Sequence, residues 1–323
     1  MKLLFVGDVM LGRLVNDSLK SVSPEYPWGD TLPLFKATDV RICNLECVIA
    51  DSGEPIPKTF NFRSDAKNIA VLKTAHIDMV SLANNHALDY GPEALEEMIG
   101  HLDDAGIAHA GAGVNAAAAR ASTHISVHGA TVALLSFTDY AGRDWEAGRE
   151  TPGVRYCPVD LENVCARVLI EDVRMARVNA EIVVTSAHWG SNWGYAPEKE
   201  HQKFAHALIE AGADIVFGHS AHVFRGIELF KGRLIIYSAG DFIDDYAIDK
   251  IERNDESFVF VVEFNDSRVV RIRMYPIIID NFQARLAPYV RAKTIATRME
   301  ALSKECGTTA WWNEEIKALE IIF

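Results

Sequence analysis

Five short apolar runs in this chain each end in a residue that can hold a metal ion or move a proton. Asp8 closes the first, Glu46 follows the second, and Asn84-Asn85-His86 follows the third. His188 closes the fourth, and His219 closes the fifth with His222 three residues on. One such residue after a strand is commonly a turn former or cap. Five strand ends that each offer Asp, Glu, Asn or His point to one clustered site, because ligands of open α/β sheets bind where strand ends converge. The donors are carboxylates, an amide oxygen and imidazoles, with no thiolate, which favours Mn²⁺, Fe²⁺, Zn²⁺ or Ca²⁺ over soft metals. A carboxylate can bridge two ions about 3.5–4 Å apart, an arrangement that activates water and polarises the bond under attack. Glu46 is the natural candidate for that bridge.

The elements that must position these residues read as an α/β pattern. Lys2–Val6, Val40–Cys43, Ile77–Leu82, Ile182–Ser186 and Asp214–Phe217 lack polar alternation, as strands covered on both faces do. Helices are predicted at Glu93–Ala105, closed by Gly106, near Leu161–Asn179, and from Pro197 to Ala211-Gly212. Beyond residue 223 the pattern turns antiparallel: hairpins are predicted about Lys231-Gly232 and about Asn265-Asp266. The tail from Pro288 reads as helical. With no linker, repeat or low-complexity tract, residues 1–323 are expected to form one domain, with the motifs in 7–245 and a C-terminal hairpin and helical tail in 256–323.

Composition narrows the function. Of the 323 residues 49% are hydrophobic, enough for a large core, and the formal net charge is −13, a field that repels nucleic acid. Five cysteines without a CxxC pair (Cys43, Cys47, Cys157, Cys165, Cys306) suit reduced thiols rather than a disulfide framework. The N-terminal apolar run is too short for a signal peptide or a membrane span, so a cytoplasmic protein without a visible anchor is expected. Gly111-Ala112-Gly113 lacks the third glycine of a dinucleotide fingerprint, and no Gly-x-Ser-x-Gly elbow is present.

The blocks Gly7-Asp8-Val9-Met10, Asn44-Leu45-Glu46, Leu82-Ala83-Asn84-Asn85-His86, His188-Trp189-Gly190, Gly218-His219-Ser220-Ala221-His222 and Ser238-Ala239-Gly240-Asp241-Phe242 together resemble the CapA family. These are the capsule and poly-γ-glutamate synthesis proteins, also called PgsA-like, and the order of the blocks is the family's. The resemblance implies a metallophosphoesterase-like (calcineurin-like) fold, a four-layer α/β/β/α sandwich with mixed sheets. It implies that Asp8 and His222 bind a first metal and that Glu46 bridges. Asn85, His188 and His219 would bind a second metal, and His86 would be the general acid or base, with Asp8 beside it. Arg13, Asn84, Trp189 and Arg225 are substrate-binding candidates, Trp189 being open between a core and a pocket role. Met10 stands where phosphoesterases usually carry a further His ligand, and Asp241 stands where CapA proteins commonly have Asn; one or two divalent ions are therefore expected.

The function so implied is metal-dependent hydrolysis of a phosphoester or of a glutamyl or peptide substrate, tied to capsule or poly-γ-glutamate synthesis. Two alternatives stay open, a peptide epimerase and a non-catalytic accessory subunit. The substrate would be anionic or peptidic; the oligomeric state is not legible.

Overall fold

The computed structural model describes residues 1–140, 142–265 and 267–323. Two mixed sheets stack face to face, and helices cover their outer faces. The first sheet is built around the opening strand Lys2–Val9. On one side it pairs in parallel with Val40–Leu45, which is followed by Met79–Ser81 and Ala108–Ala110. On the other it pairs antiparallel with Glu256–Asn265, which continues to Arg268–Asp280, Ala318–Ile322 and the edge strand Trp311–Asn313. The short strand Asp241–Ile243 adds to the first strand in parallel, at its carboxyl end. The second sheet runs Ile227–Phe230, Arg233–Ile236, Ile215–His219, Ile182–His188, Ala130–Thr138, Thr123–Val127, with its four middle strands parallel.

Alternation along each strand decides what each face buries. Leu3 and Phe5 point between the sheets, where Phe5 meets Phe217 of the second sheet at 5.2 Å between ring centroids. Leu4 and Val6 point outward, into a cluster with Trp28, Phe35, Leu95, Met98 and Leu102. The second sheet's outer face, with Leu135, Val183 and Val216, packs on Leu169 and Val173 of the helix Val164–Asn179 and on Phe204 and Leu208 of the helix Lys199–Ala211. The order is helix, sheet, sheet, helix, the expected four-layer sandwich.

The hairpin about Lys231-Gly232 is present. The second one pairs Glu256–Asn265 with Arg268–Asp280; Asp266, in its turn, lies outside the described residues. The helix Gly91–Ala105 ends at Gly106, whose φ of 70° is left-handed. The tail departs from the helical expectation. A helix spans Tyr289–Glu305, but the chain then returns as two strands that complete the first sheet. No two cysteines are bridged. Among the described residues no helix is long and apolar enough to cross a membrane.

Candidate metal centre

All five motif-bearing strand ends open toward one place. A bulge between Val6 and Asp8 shifts the register of the first strand, so that Asp8 sits beside both Asn44 and Asp241. The bulge depends on Gly7: a Cβ there would stand 1.7 Å from the Gly240 carbonyl oxygen. Across the sheet interface His188 and His219 are register partners on adjacent parallel strands. Two sheets therefore contribute to one site.

The donors form two overlapping groups whose ligand atoms lie within 4.8 Å of one another: Asp8 with His188 and His219, and Asp8 with Glu46 and His222. Asp8 is common to both groups, and Glu46 belongs to the second. The bulge sets Asp8 where it can serve both. Asn44 ties the carboxylates together, its Nδ2 donating to Asp8 Oδ1 at 2.8 Å and to Glu46 Oε2 at 3.0 Å. His188 and His219 meet Nδ1 to Nδ1 at 2.9 Å, and His219 Nε2 reaches Ser186 Oγ at 2.8 Å. His222 Nδ1 is held by Asp241 Oδ1 at 3.0 Å.

His86 stands beside this cluster, its Nε2 4.0 Å from Glu46 Oε1 and its Nδ1 2.6 Å from Asp89 Oδ2. Its ring stacks on Phe62 at 3.8 Å. Lys58 closes the arrangement, donating to Asp89 Oδ1 at 2.8 Å and to the Asn85 carbonyl. Above the cluster lies a cavity of ≈ 620 Å³, lined among others by Arg13, Lys58, Phe60, Asn85, Trp193 and Tyr246.

The electrostatics suit cations. Burial lowers His188 and His219, the latter to about 4, and lowers His86 to about 4 despite the opposing pull of Asp89. These rings are neutral near pH 7, the form that ligates metals. Burial and the Asp8 charge raise Glu46 well above the usual carboxylate range, and burial raises Asp241 to about 6. Burial and the Asp241 charge do the same to Asp244. Asp8 Oδ2, Asn85 Oδ1 and Asp241 Oδ2 are buried and accept no hydrogen bond among the described residues. Buried oxygens of this kind are costly unless paired. Carboxylate, amide and imidazole donors with three unmatched oxygens fit divalent ions.

The structure brings together Asp8, Glu46, Asn85, His86, His188, His219 and His222, and sets Arg13 at the cavity wall, in an ion pair with Asp245. The other three substrate-binding candidates are not among the residues that line the cavity. Trp189 follows His188 by one residue and so faces the opposite side of its sheet: it is buried among Phe137 and Phe204, with Nε1 donating to the Tyr237 carbonyl. Arg225 is buried and spends its guanidinium on the carbonyls of Ser191, Trp193 and Gly194. Asn84 is fully buried, donating to Asn44 and Leu45 and accepting from the His86 N–H. Sequence reasoning missed Lys58, Phe62, Tyr246 and the pairing of Asp241 with His222. Only Asp241 carried a signal, as an acid directly after a short apolar strand and Gly240.

A mixed-sheet sandwich with carboxylates and histidines at its converging strand ends is a metallophosphoesterase-like fold. Two solved structures share it at a TM-score of 0.53: a phosphatase from Mycoplasma pneumoniae, 14% identical over 86% of this chain and 93% of that one, and a putative 5'-nucleotidase from Staphylococcus aureus, 15% identical over 95% and 58%. Residues 2–246 match the model of the bacterial capsule synthesis protein family PGA_cap, and the chain belongs to that family. It is 32% identical to a probable polyglutamine synthesis accessory protein of Mycobacterium tuberculosis, over 93% of this chain and 83% of the relative. It is likewise 32% identical to the PGA biosynthesis protein CapA of Bacillus subtilis, over 75% and 62%.

Proposed function

We propose that this protein is a divalent-metal-dependent hydrolase that cleaves an anionic ester or amide substrate in the cavity above Asp8 and His86. The capsule and polyglutamate or polyglutamine synthesis named for its relatives is the setting we assign to that activity. The observation that carries the reading is the His86–Asp89 pair, stacked on Phe62 and set against the buried carboxylate and imidazole cluster.

Asp8, Glu46, Asn85, His188, His219 and His222 would hold the ions. When bound, these supply Lewis-acid polarisation of the scissile bond and a lowered pKa for water. The chain's own residues do the rest. Asp89 holds His86 Nδ1, so Nε2 is the nitrogen that faces the reaction and takes or returns a proton there. Lys58 pins Asp89 and the Asn85 carbonyl, which fixes the imidazole plane. Arg13 presents a cation at the wall, backed by Phe60 and Phe62. Phe60, Trp193 and Tyr246 give the cavity wall aromatic surface for the apolar parts of a substrate.

The test uses protein reconstituted with Mn²⁺ or Zn²⁺ and assayed on bis(p-nitrophenyl) phosphate and γ-glutamyl p-nitroanilide. Chelator-sensitive turnover is expected, reduced by a factor on the order of 10²–10⁴ in His86→Asn while bound metal is retained. The accessory reading has one specific support, the name of the Mycobacterium tuberculosis relative. It takes the lead if metal binds but neither substrate is cleaved and no substrate α-proton exchanges with D₂O; exchange without cleavage would instead mark an epimerase.

A further inference from the structure

Trp193 is held in a backbone conformation that its side chain disfavours. The loop from Gly190 to Tyr195 follows the strand Ile182–His188, and Gly190, Trp193 and Gly194 take left-handed φ values of 78°, 71° and 83°. Glycine adopts that region freely, whereas a bulky residue there is an outlier that persists only where its surroundings impose it. The surroundings here are explicit. The Trp193 N–H donates to the Ala221 carbonyl at 2.9 Å, and the Gly194 N–H donates to Glu252 Oε2 at 3.1 Å. The buried Arg225 gathers the Ser191, Trp193 and Gly194 carbonyls. This fastening does not serve the core: Trp28 and Trp189 are fully buried, but Trp193 stays 40% exposed. It lines the cavity, its ring 5.8 Å from that of His222. Ring contacts continue from His222 to Tyr246 at 5.1 Å, from Tyr246 to Phe62 at 5.7 Å, and from Phe62 to His86 at 3.8 Å. Trp193 is therefore the open end of an aromatic wall that starts at His86.

We propose that Trp193 is a specificity-determining residue, a platform on which the substrate lays a flat ring carried beside its anionic scissile group. This rests on the reading of the cavity as an anionic-substrate site. A half-open indole offers a large, rigid apolar face with little conformational freedom to lose. Stacking a ring on it removes apolar surface of both partners from water. Phe60, the other exposed aromatic of this wall, already has the Arg13 guanidinium over its ring at 5.4 Å. An acidic chain without rings gains little from such a platform. The class selected is an ester or amide with an aromatic or heteroaromatic group next to the bond that breaks.

The experiment compares two non-hydrolysable anions on the whole chain supplied with Mn²⁺: phenylphosphonate and methylphosphonate, which share a head group and differ by the ring. Calorimetric titration of the wild type should show phenylphosphonate binding about tenfold more tightly, a preference of the size that ring stacking supplies. Trp193→Gly, which accepts a φ of 71° without strain, should abolish the preference, and Trp193→Phe should keep most of it. Equal affinities in the wild type, or a preference that survives Trp193→Gly, would overturn the proposal. Ring preference without turnover in the hydrolase assay would uphold the platform and sink the hydrolase reading, whereas binding of neither phosphonate would overturn both. If Trp193→Gly does not fold, Trp193→Leu takes its place: an apolar side chain without a flat ring should lose the preference, and retention there would refute the platform.

Discussion

Asp89 fastens an irregular stretch of chain to the candidate site, and its removal has a calculable cost. Its buried carboxylate accepts from Lys58 Nζ at 2.8 Å and from the Phe62 N–H at 2.7 Å, and it holds His86 Nδ1 at 2.6 Å. Its carbonyl accepts from the Ile56 N–H at 3.0 Å and from Asn61 Nδ2 at 2.8 Å. Asp89→Ala strands Lys58 and two donors; breaking a buried pair from one side costs about 3–5 kcal/mol. With Lys58 partly exposed, about 4 kcal/mol is expected. The unfolding entropy of the 323-residue chain, at about 2.1 cal/mol/K per residue, is about 0.7 kcal/mol/K. The midpoint should therefore fall by about 6 °C. Asp89→Asn keeps an acceptor for Phe62 and should lose about half as much. Calorimetry in excess chelator removes any contribution from bound ions. If Asp89→Ala unfolds within about 1 °C of wild type, the segment around Lys58 is anchored by something else and the estimate is refuted.

Two further outcomes follow from the same geometry. Burial alone would raise Glu97, but the backbone N–H groups of Asp51 and Ser52 outweigh it and bring the carboxyl down to about 2. Its stabilisation is therefore present above the ordinary value of 4.5 and lost as pH falls toward 2. The full linkage, about 3 kcal/mol, is cut by solvent screening to about 1 kcal/mol. Urea titrations should show Glu97→Gln less stable at pH 7 by that amount and equal to wild type near pH 2. Arg225→Ala removes the cation that gathers three loop carbonyls and should cost about 3 kcal/mol. Limited proteolysis should show new cleavage within residues 190–195, with the metal content unchanged.

The strand-end residues were legible because strands buried on both faces appear as unbroken apolar runs, and a polar residue directly after one stands out. Parity along a strand was legible too and would have resolved Trp189: with His188 turned to the site, its neighbour must face the helices. Arg225 and Asn84 show the limit of that logic. Their residue types suit a substrate, but each sits where backbone carbonyls or side-chain amides need a buried partner, a demand set by the tertiary fold. Lys58 and Phe62 lie in an irregular segment with no periodicity to mark them, and only the folded chain brings them to His86. The two strands after Glu305 are short, so the pairing of Ala318–Ile322 with Arg268–Asp280, and of Trp311–Asn313 with Ala318–Ile322, is a property of the assembled sheet.

The opening strand Lys2–Val9 waits longest for its neighbour. Its antiparallel partner, Glu256–Asn265, begins some 250 residues downstream and beyond residue 246, where the family match stops. At about 5–20 residues per second of synthesis, an apolar strand stays without one flank for roughly 13–50 s on the ribosome. A fragment trimmed at the family boundary would keep it bare permanently, offering Leu3, Leu4 and Phe5 as a template for edge-to-edge aggregation. The final 77 residues, which carry none of the expected ligands, are in this sense the chain's solubility tag, and expression work should retain them.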